Sequence, residues 1–210
     1  MYDTDAAILI FAKAPVAGQV KTRLIPALGR TGATQLYRHL LHRLVRLLSD
    51  ARLASVELWC APDTTHADFQ QLGQSPAVTL HSQEGHDLGE SMSHAVQDSF
   101  KRHRHVILIG VDCPALSVNL LQQTLDWLRE GADAVLGPAR DGGYVMLGLS
   151  QTSDCLFEQL PWGTDRVVGL TRQCLQGLGW HWRELPELWD LDRPEDLPEL
   201  DRLNIDWERV

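Results

Sequence analysis

Apolar positions along this chain keep two rhythms. Short runs of strand length cover Ala6 to Ala12, Ser55 to Ala61, Ala77 to His81, Val106 to Val111, Ala132 to Gly137, Tyr144 to Leu149 and Trp180 to Leu185. Between them, apolar residues recur at helical spacing. Thr31 to Asp50 places Leu36, Leu40, Leu41, Leu44, Leu47 and Leu48 on one stripe, with Arg38, Arg43 and Arg46 among the intervening positions, which predicts an amphipathic helix. A short helix is predicted over Asp63 to Leu72, its start marked by Asp63. A glycine-punctuated loop from Gln83 runs into a helix bearing Met92, Ala95, Val96 and Phe100. Ser117 caps a helix reaching about Glu130, and Asp165 to Gln176 predicts another.

The strand from Val106 is the most continuous apolar run, as a central strand buried on both faces requires. Strand and helix alternate throughout, with no internal repeat, low-complexity segment or linker. The pattern predicts an α/β protein: a mainly parallel sheet with helices on both faces, in one domain over residues 1–210. Of the tryptophans, Trp59, Trp127 and Trp207 read as packing residues.

Charge changes the picture at one loop. The chain has 28 acidic against 19 basic residues and a formal net charge of -9. That balance opposes general binding to nucleic acid or to an anionic membrane surface. Yet the loop after the first strand delivers Lys13, Lys21 and Arg23 within a few residues of Pro15 and Gly18. Open α/β sheets bind ligands at the carboxyl edge of their strands, and backbone N–H groups beside lysine and arginine suit phosphates. The loop therefore reads as a phosphate cradle, against the alternative of solvated surface cations paired with nearby acids. It is not a Walker A loop, because glycine does not directly precede Lys21-Thr22.

Other chemistry is sparser. Asp112 sits at the carboxyl tip of the central strand, where such sheets place catalytic groups, or else it forms a turn before Cys113-Pro114. Asp141-Gly142-Gly143, with Arg140 and Tyr144 beside it, is either a hairpin turn or a pocket wall. Asp192, followed by Pro194 and Glu195, has the spacing of a helix cap, and Asp190 and Asp192 are also oxygen donors suited to a divalent cation. His81, His86, His94, His103 and His105 lack a ligand spacing. Cys60, Cys113, Cys155 and Cys174 form no paired motif, so the expectation is four small packing residues without a disulfide. No apolar stretch approaches the ~20 residues of a membrane span, and the acidic Met1–Asp5 segment is unlike a signal peptide, so a cytoplasmic protein is expected.

Taken together, the loops resemble a known family. Lys13-x-Pro15-x-x-Gly18-x-x-Lys21-Thr22-Arg23-Leu24, Asp87-Leu88-Gly89-Glu90-x-Met92, Gly110-x-Asp112-Cys113-Pro114, Gly137-Pro138-x-x-Asp141-Gly142-Gly143-Tyr144, Trp162-x-Thr164 and Asp190-x-Asp192-x-Pro194-x-Asp196-Leu197 resemble the DUF2064 family across nearly the whole chain. Its members are usually labelled glycosyltransferases, or transferases associated with radical-SAM/selenoprotein-domain genes. The chain is more distantly similar to phospholactate guanylyltransferases and molybdenum-cofactor nucleotidyltransferases. Ser91 stands where the pattern leads one to expect arginine.

The resemblance implies a GT-A-like nucleotide-diphospho-sugar transferase fold, a three-layer α/β/α sandwich on a mainly parallel mixed sheet. It implies a nucleotide or nucleotide-sugar whose phosphates are held by Lys13, Pro15, Gly18, Lys21, Thr22 and Arg23. A divalent cation, Mg2+ or Mn2+, would be held by Asp112 with Asp192 and Asp190. Glu90, Asp141, Gly142, Gly143 and Tyr144 would face the substrates, an unidentified acceptor included, with Lys21, Asp112 and Asp141 catalytic and Asp141 the candidate base. Glycosyl transfer is expected first and nucleotidyl transfer with pyrophosphate release second. A binding protein without turnover is the third possibility.

Overall fold

A computed structural model of the chain describes residues 5–203 and residue 205. One seven-stranded sheet runs through it. The strands are β1 (Ala6–Lys13), β2 (Ser55–Ala61), β3 (Val78–Ser82), β4 (His105–Gly110), β5 (Ala134–Pro138), β6 (Tyr144–Leu149) and β7 (Trp182–Glu184), in the spatial order β3-β2-β1-β4-β6-β5-β7. All neighbours pair parallel except β6, which is antiparallel to both β4 and β5. The mainly parallel mixed sheet and its α/β class are as the pattern and the resemblance predict. No helix among the described residues is long and apolar enough to cross a membrane.

Alternation along β1 explains the two layers around the sheet. Ala6, Ile8, Ile10 and Ala12 face one side, where they pack with Leu36, Leu40, Leu41, Leu44 and Leu48 of α1 (Ile25–Ala51) and Leu121, Leu125 and Leu128 of α4 (Val118–Arg129). Ala7 and Leu9 face the other, against Met92, Ala95 and Val96 of α3 (Leu88–Phe100) and Leu175 of α5 (Val167–Gly177). A period of two in a strand and 3.6 in a helix is enough to sort these residues onto facing surfaces. Short helices α2 (Ala67–Leu72) and α6 (Leu197–Arg202) complete the set. Buried Glu57 on β2 lies on the α3 side, where Arg102 Nη2 donates to it at 2.9 Å and Trp59 Nε1 at 3.2 Å. Trp59 is buried, as expected, and Trp127 packs partly buried under the Arg183 guanidinium; Trp207 lies outside the described residues.

Several local expectations are corrected. Helix α1 begins at Ile25 rather than Thr31, directly after a 3-10 turn over Thr22–Leu24, with Gly29 (φ 68°) as a non-helical break inside it. Helix α2 is capped by His66, whose ring accepts from Asp68 N, while Asp63 instead folds its carboxylate onto Thr65. Asp192 is not a helix cap. The N-cap is Arg193, and the Asp196 carboxylate accepts from the backbone N–H groups of Asp192 and Arg193, at 3.0 and 2.7 Å. Cys155 and Cys174 form a disulfide, contrary to the reading of four unlinked cysteines, whereas Cys60 and Cys113 are free and buried.

Candidate functional site

The carboxyl ends of β1 and β4 lie side by side, and the antiparallel course of β6 starts it at the same edge where β5 ends. Consequently four loops converge there: Ala14–Lys21 after β1, Val111–Ser117 after β4, Ala139–Gly143 between β5 and β6, and Leu185–Arg193 after β7. Between them opens a cavity of about 560 Å³. Lys13, Lys21, Thr22, Arg23, Asp112, Asp141, Gly143, Tyr144, Asp190 and Asp192 line it, all of them positions singled out in the sequence.

The loop after β1 turns twice. Gly18 (φ 83°) takes a left-handed conformation that favours glycine, and Lys21 (φ 47°) takes another, which turns the lysine back toward the protein. Its side chain is only 3% exposed, and Nζ lies 2.6 Å from Asp112 Oδ1. The same ammonium donates to the Leu191 carbonyl, while Leu191 N donates to Asp112 O at 2.8 Å. Lys21, Asp112 and Leu191 thus tie three loops into one knot. Arg23, with 60% of its side chain exposed, bonds Asp192 across the mouth of the cavity, and that contact raises the guanidinium pKa. Lys13 is exposed in the cavity, and its ammonium has no partner among the described residues. Its backbone N–H donates to the buried Tyr37 hydroxyl of α1 at 2.8 Å, which fixes where the strand ends.

The acidic side is crowded. Asp190 is pushed up to about 6, first by burial and then by the Asp141 carboxylate, with Asp192 adding to the effect and Lys21 opposing it. A carboxyl raised by burial and by neighbouring carboxylates marks a place where added positive charge is stabilising. Among the described residues, no three His, Cys, Asp or Glu side chains are arranged as a preformed metal cage. Mg2+ and Mn2+ take oxygen ligands and keep several waters, so they do not require a cage made wholly of protein groups. Asp112, Asp190 and Asp192 line the cavity and offer oxygen donors of the kind such ions take.

The Asp141-Gly142-Gly143 segment is at once a hairpin turn and a cavity wall. Ala139 N donates to Gly143 O at 2.9 Å, and Asp141 Oδ1 accepts from Gly143 N at 2.9 Å. Gly142 (φ 87°) is not among the residues lining the cavity, and a Cβ there would come within 2.6 Å of Asp165 Cα. The positive φ and the nearby Asp165 backbone account for glycine at this position. Pro15, Gly18 and Glu90 also lie outside the cavity lining. Pro15 is buried, and Glu90 belongs to the start of α3, where Asp87 Oδ1 accepts from Glu90 N and Glu90 Oε2 accepts from His86 N, both at 2.8 Å. That reciprocal arrangement is a capping motif.

Further lining residues take no site role from the sequence, although Leu88, Met92 and Trp162 belong to the motifs of the resemblance. Gln83, directly after β3, donates from its amide to the carbonyls of Trp59 (2.8 Å) and Ala12 (3.3 Å). Phe11, Leu88, Met92, Leu108 and Trp162 form an apolar wall on the α3 side, with Trp162 edge-on to Tyr144 at 6.0 Å between centroids. The Tyr144 hydroxyl is buried without a hydrogen-bond partner among the described residues.

Comparison with known proteins agrees with this architecture. A crystal structure from Desulfovibrio desulfuricans G20, provisionally named a nucleotide-diphospho-sugar transferase, is 32% identical with a TM-score of 0.87, over 97% of this chain and 89% of that one. The glucosyl-3-phosphoglycerate synthase of Mycobacterium tuberculosis, solved with Mn2+, UDP and phosphoglyceric acid, is 14% identical with a TM-score of 0.55, over 94% of this chain and 74% of that one. The 4-diphosphocytidyl-2C-methyl-D-erythritol synthase of Anaerococcus prevotii is 12% identical with a TM-score of 0.60, over 96% of this chain and 99% of that one. The last two share the fold. No curated protein sequence matches the chain. The sequence model of the family described as "Uncharacterized protein conserved in bacteria (DUF2064)" matches residues 44–164, more than half the chain, and with the 32% identity across almost its full length this establishes that the chain belongs to that family.

Proposed function

We propose that the protein is a transferase that takes its donor from a nucleotide-sugar, with the nucleotide phosphates at the Lys13 to Arg23 loop and a divalent cation at Asp112 and Asp192. The observation that carries this reading is one cavity lined by Lys13, Lys21 and Arg23 together with Asp112, Asp141, Asp190 and Asp192. The provisional name of the 32% identical Desulfovibrio protein supports the same chemistry.

The roles divide by exposure. Lys13 and Arg23 are free to reach phosphate oxygens, Arg23 by exchanging its exposed Asp192 contact for the ligand. Charge-assisted bonds of this kind are about twice as strong as neutral ones. Lys21 is buried, so it works by holding Asp112 at the strand tip, a narrower role than the phosphate ligand expected of it. When bound, Mg2+ or Mn2+ supplies neutralisation of charge on the leaving phosphate oxygens. Asp141, exposed on the turn above the cavity, accepts the proton of an acceptor hydroxyl. The apolar wall around Trp162 shields the reacting groups from water.

A second reading, nucleotidyl transfer, is favoured by the two cations Lys13 and Arg23 that the loop leaves facing the cavity, a pair suited to the phosphates of a nucleoside triphosphate. Product analysis separates the two. Incubation with nucleoside diphosphate sugars, nucleoside triphosphates and a panel of acceptors in Mn2+ yields nucleoside diphosphate if sugar is transferred and pyrophosphate if a nucleotide is. Metal-dependent binding without either product identifies a non-catalytic binder, and absence of binding by every nucleotide overturns both readings.

A further inference from the structure

Cys155 lies in the 3-10 turn over Asp154–Leu156, and Cys174 in α5, so their disulfide closes a loop around residues 156–173. That loop supplies Trp162, Gly163, Thr164 and Val167 to the cavity. The core holds its two feet: Leu156 and Phe157 are buried on one side, and Val167 and Leu175 on the other. Between them, no residue from Glu158 to Arg166 is buried. The backbone bonds within that stretch are local, Trp162 N to Leu160 O at 2.8 Å and Thr164 N to Pro161 O at 3.2 Å. Among the described residues the stretch meets the rest of the site through packing, with Trp162 against Gly89 and Tyr144 and the Asp165 backbone against Gly142, while Val168 N at its second foot donates to Gly142 O at 2.9 Å. Its position therefore depends on how firmly its feet are held together, and the disulfide is the covalent link between them. Cys155 is exposed while Cys174 is half-buried, so one sulfur is open to attack.

We propose that Cys155–Cys174 is a reversible redox modification site that sets the order of the cavity wall carrying Trp162 to Thr164, with a dithiol as its reducing partner. A thiolate of the dithiol attacks Cys155 Sγ, forms a mixed disulfide and expels Cys174 as a thiolate, which takes up a proton. The second thiol of the reductant then attacks the mixed disulfide and releases Cys155. Two electrons pass from the dithiol to the protein, leaving two cysteine thiols and an oxidised dithiol. Loss of the cross-link returns conformational freedom to the loop, and the freed segment opens more often.

Limited trypsin digestion tests this whatever the cavity binds, because Arg166 is an exposed cleavage point inside the loop. Cleavage after Arg166 in the full chain is followed with and without dithiothreitol, alongside the Cys155→Ala/Cys174→Ala double variant. Proteolysis that tracks the open population is expected to speed up on the order of fivefold on reduction, and the variant to cleave at the fast rate under both conditions. Equal rates for the parent protein in both states overturn the proposal. So does a thiol titration of denatured, oxidant-treated protein that finds four thiols instead of two. Should the variant fail to fold, the parent measured in its two redox states decides alone.

Discussion

Replacing Lys21 by methionine probes the knot under the site. Methionine keeps most of the aliphatic volume of a side chain that is 3% exposed and removes its charge and donors. Two contacts disappear: the 2.6 Å pair with Asp112 and the bond to the Leu191 carbonyl. A hydrogen bond to a charged group contributes about 1.5–3 kcal/mol, and an orphaned buried carbonyl costs about 1–3 kcal/mol. The Asp112 side chain is 55% exposed and rehydrates when released, so its share is discounted toward the low end. The expected loss is about 2–3 kcal/mol, which for a chain of this size lowers Tm by roughly 5–10 °C. Urea denaturation of Lys21→Met, Asp112→Asn and the double variant forms a cycle, with an expected coupling of about 1–2 kcal/mol. A single variant within about 0.5 kcal/mol of the parent and no coupling would refute the reasoning, since a solvated, ligand-facing lysine behaves that way.

Three more outcomes follow from local geometry. Gly142→Ala places a methyl 2.6 Å from Asp165 Cα at a φ of 87°, so a loss of about 2–4 kcal/mol is expected in urea denaturation, and full stability would mean the two loops do not touch. Arg102→Ala leaves Glu57, 3% exposed, without its guanidinium and should cost about 2–4 kcal/mol, with Glu57→Gln restoring part of the loss; an unchanged midpoint would show the pair to be dispensable. The Arg172 guanidinium holds Glu184 below its ordinary pKa of 4.5, so the unfolded chain binds the proton more readily. The stability from this pair is present above about pH 4.5 and fades as pH falls through the lowered value, so the gap between parent and Glu184→Gln should close in acid; a gap that widens there would reverse the sign.

Much of the fold was legible because the core is built on simple periods. Ser55–Ala61 and Tyr144–Leu149 are strands with the bounds their apolar runs predict, and the leucine stripe of α1 is buried where its spacing places it. The start of α1 was not, because Pro26 and Gly29 interrupt the pattern although the chain is already helical at Ile25. The site was legible as a set of loops but not as a set of contacts. Nothing in a local sequence tells that Lys21 turns inward to Asp112 while Lys13 stays free, since that depends on a left-handed backbone at Lys21 and on a partner far along the chain. The disulfide is hidden for a related reason: Cys155 and Cys174 are brought together by the packing of α5, and spacing alone carries no connectivity. Glu90 and Gly142, expected to face the substrates, lie outside the cavity lining, where one caps α3 and the other admits the Asp165 backbone, contacts that local sequence does not reveal.

Titration calorimetry with nucleoside diphosphates and triphosphates, with and without Mn2+, addresses the cavity itself. Binding should appear with Mn2+, weaken at least about tenfold in Lys13→Ala, and be lost in Asp112→Asn while that variant keeps a cooperative unfolding transition. Nucleotide affinity indifferent to both substitutions would place the ligand elsewhere and contradict the account.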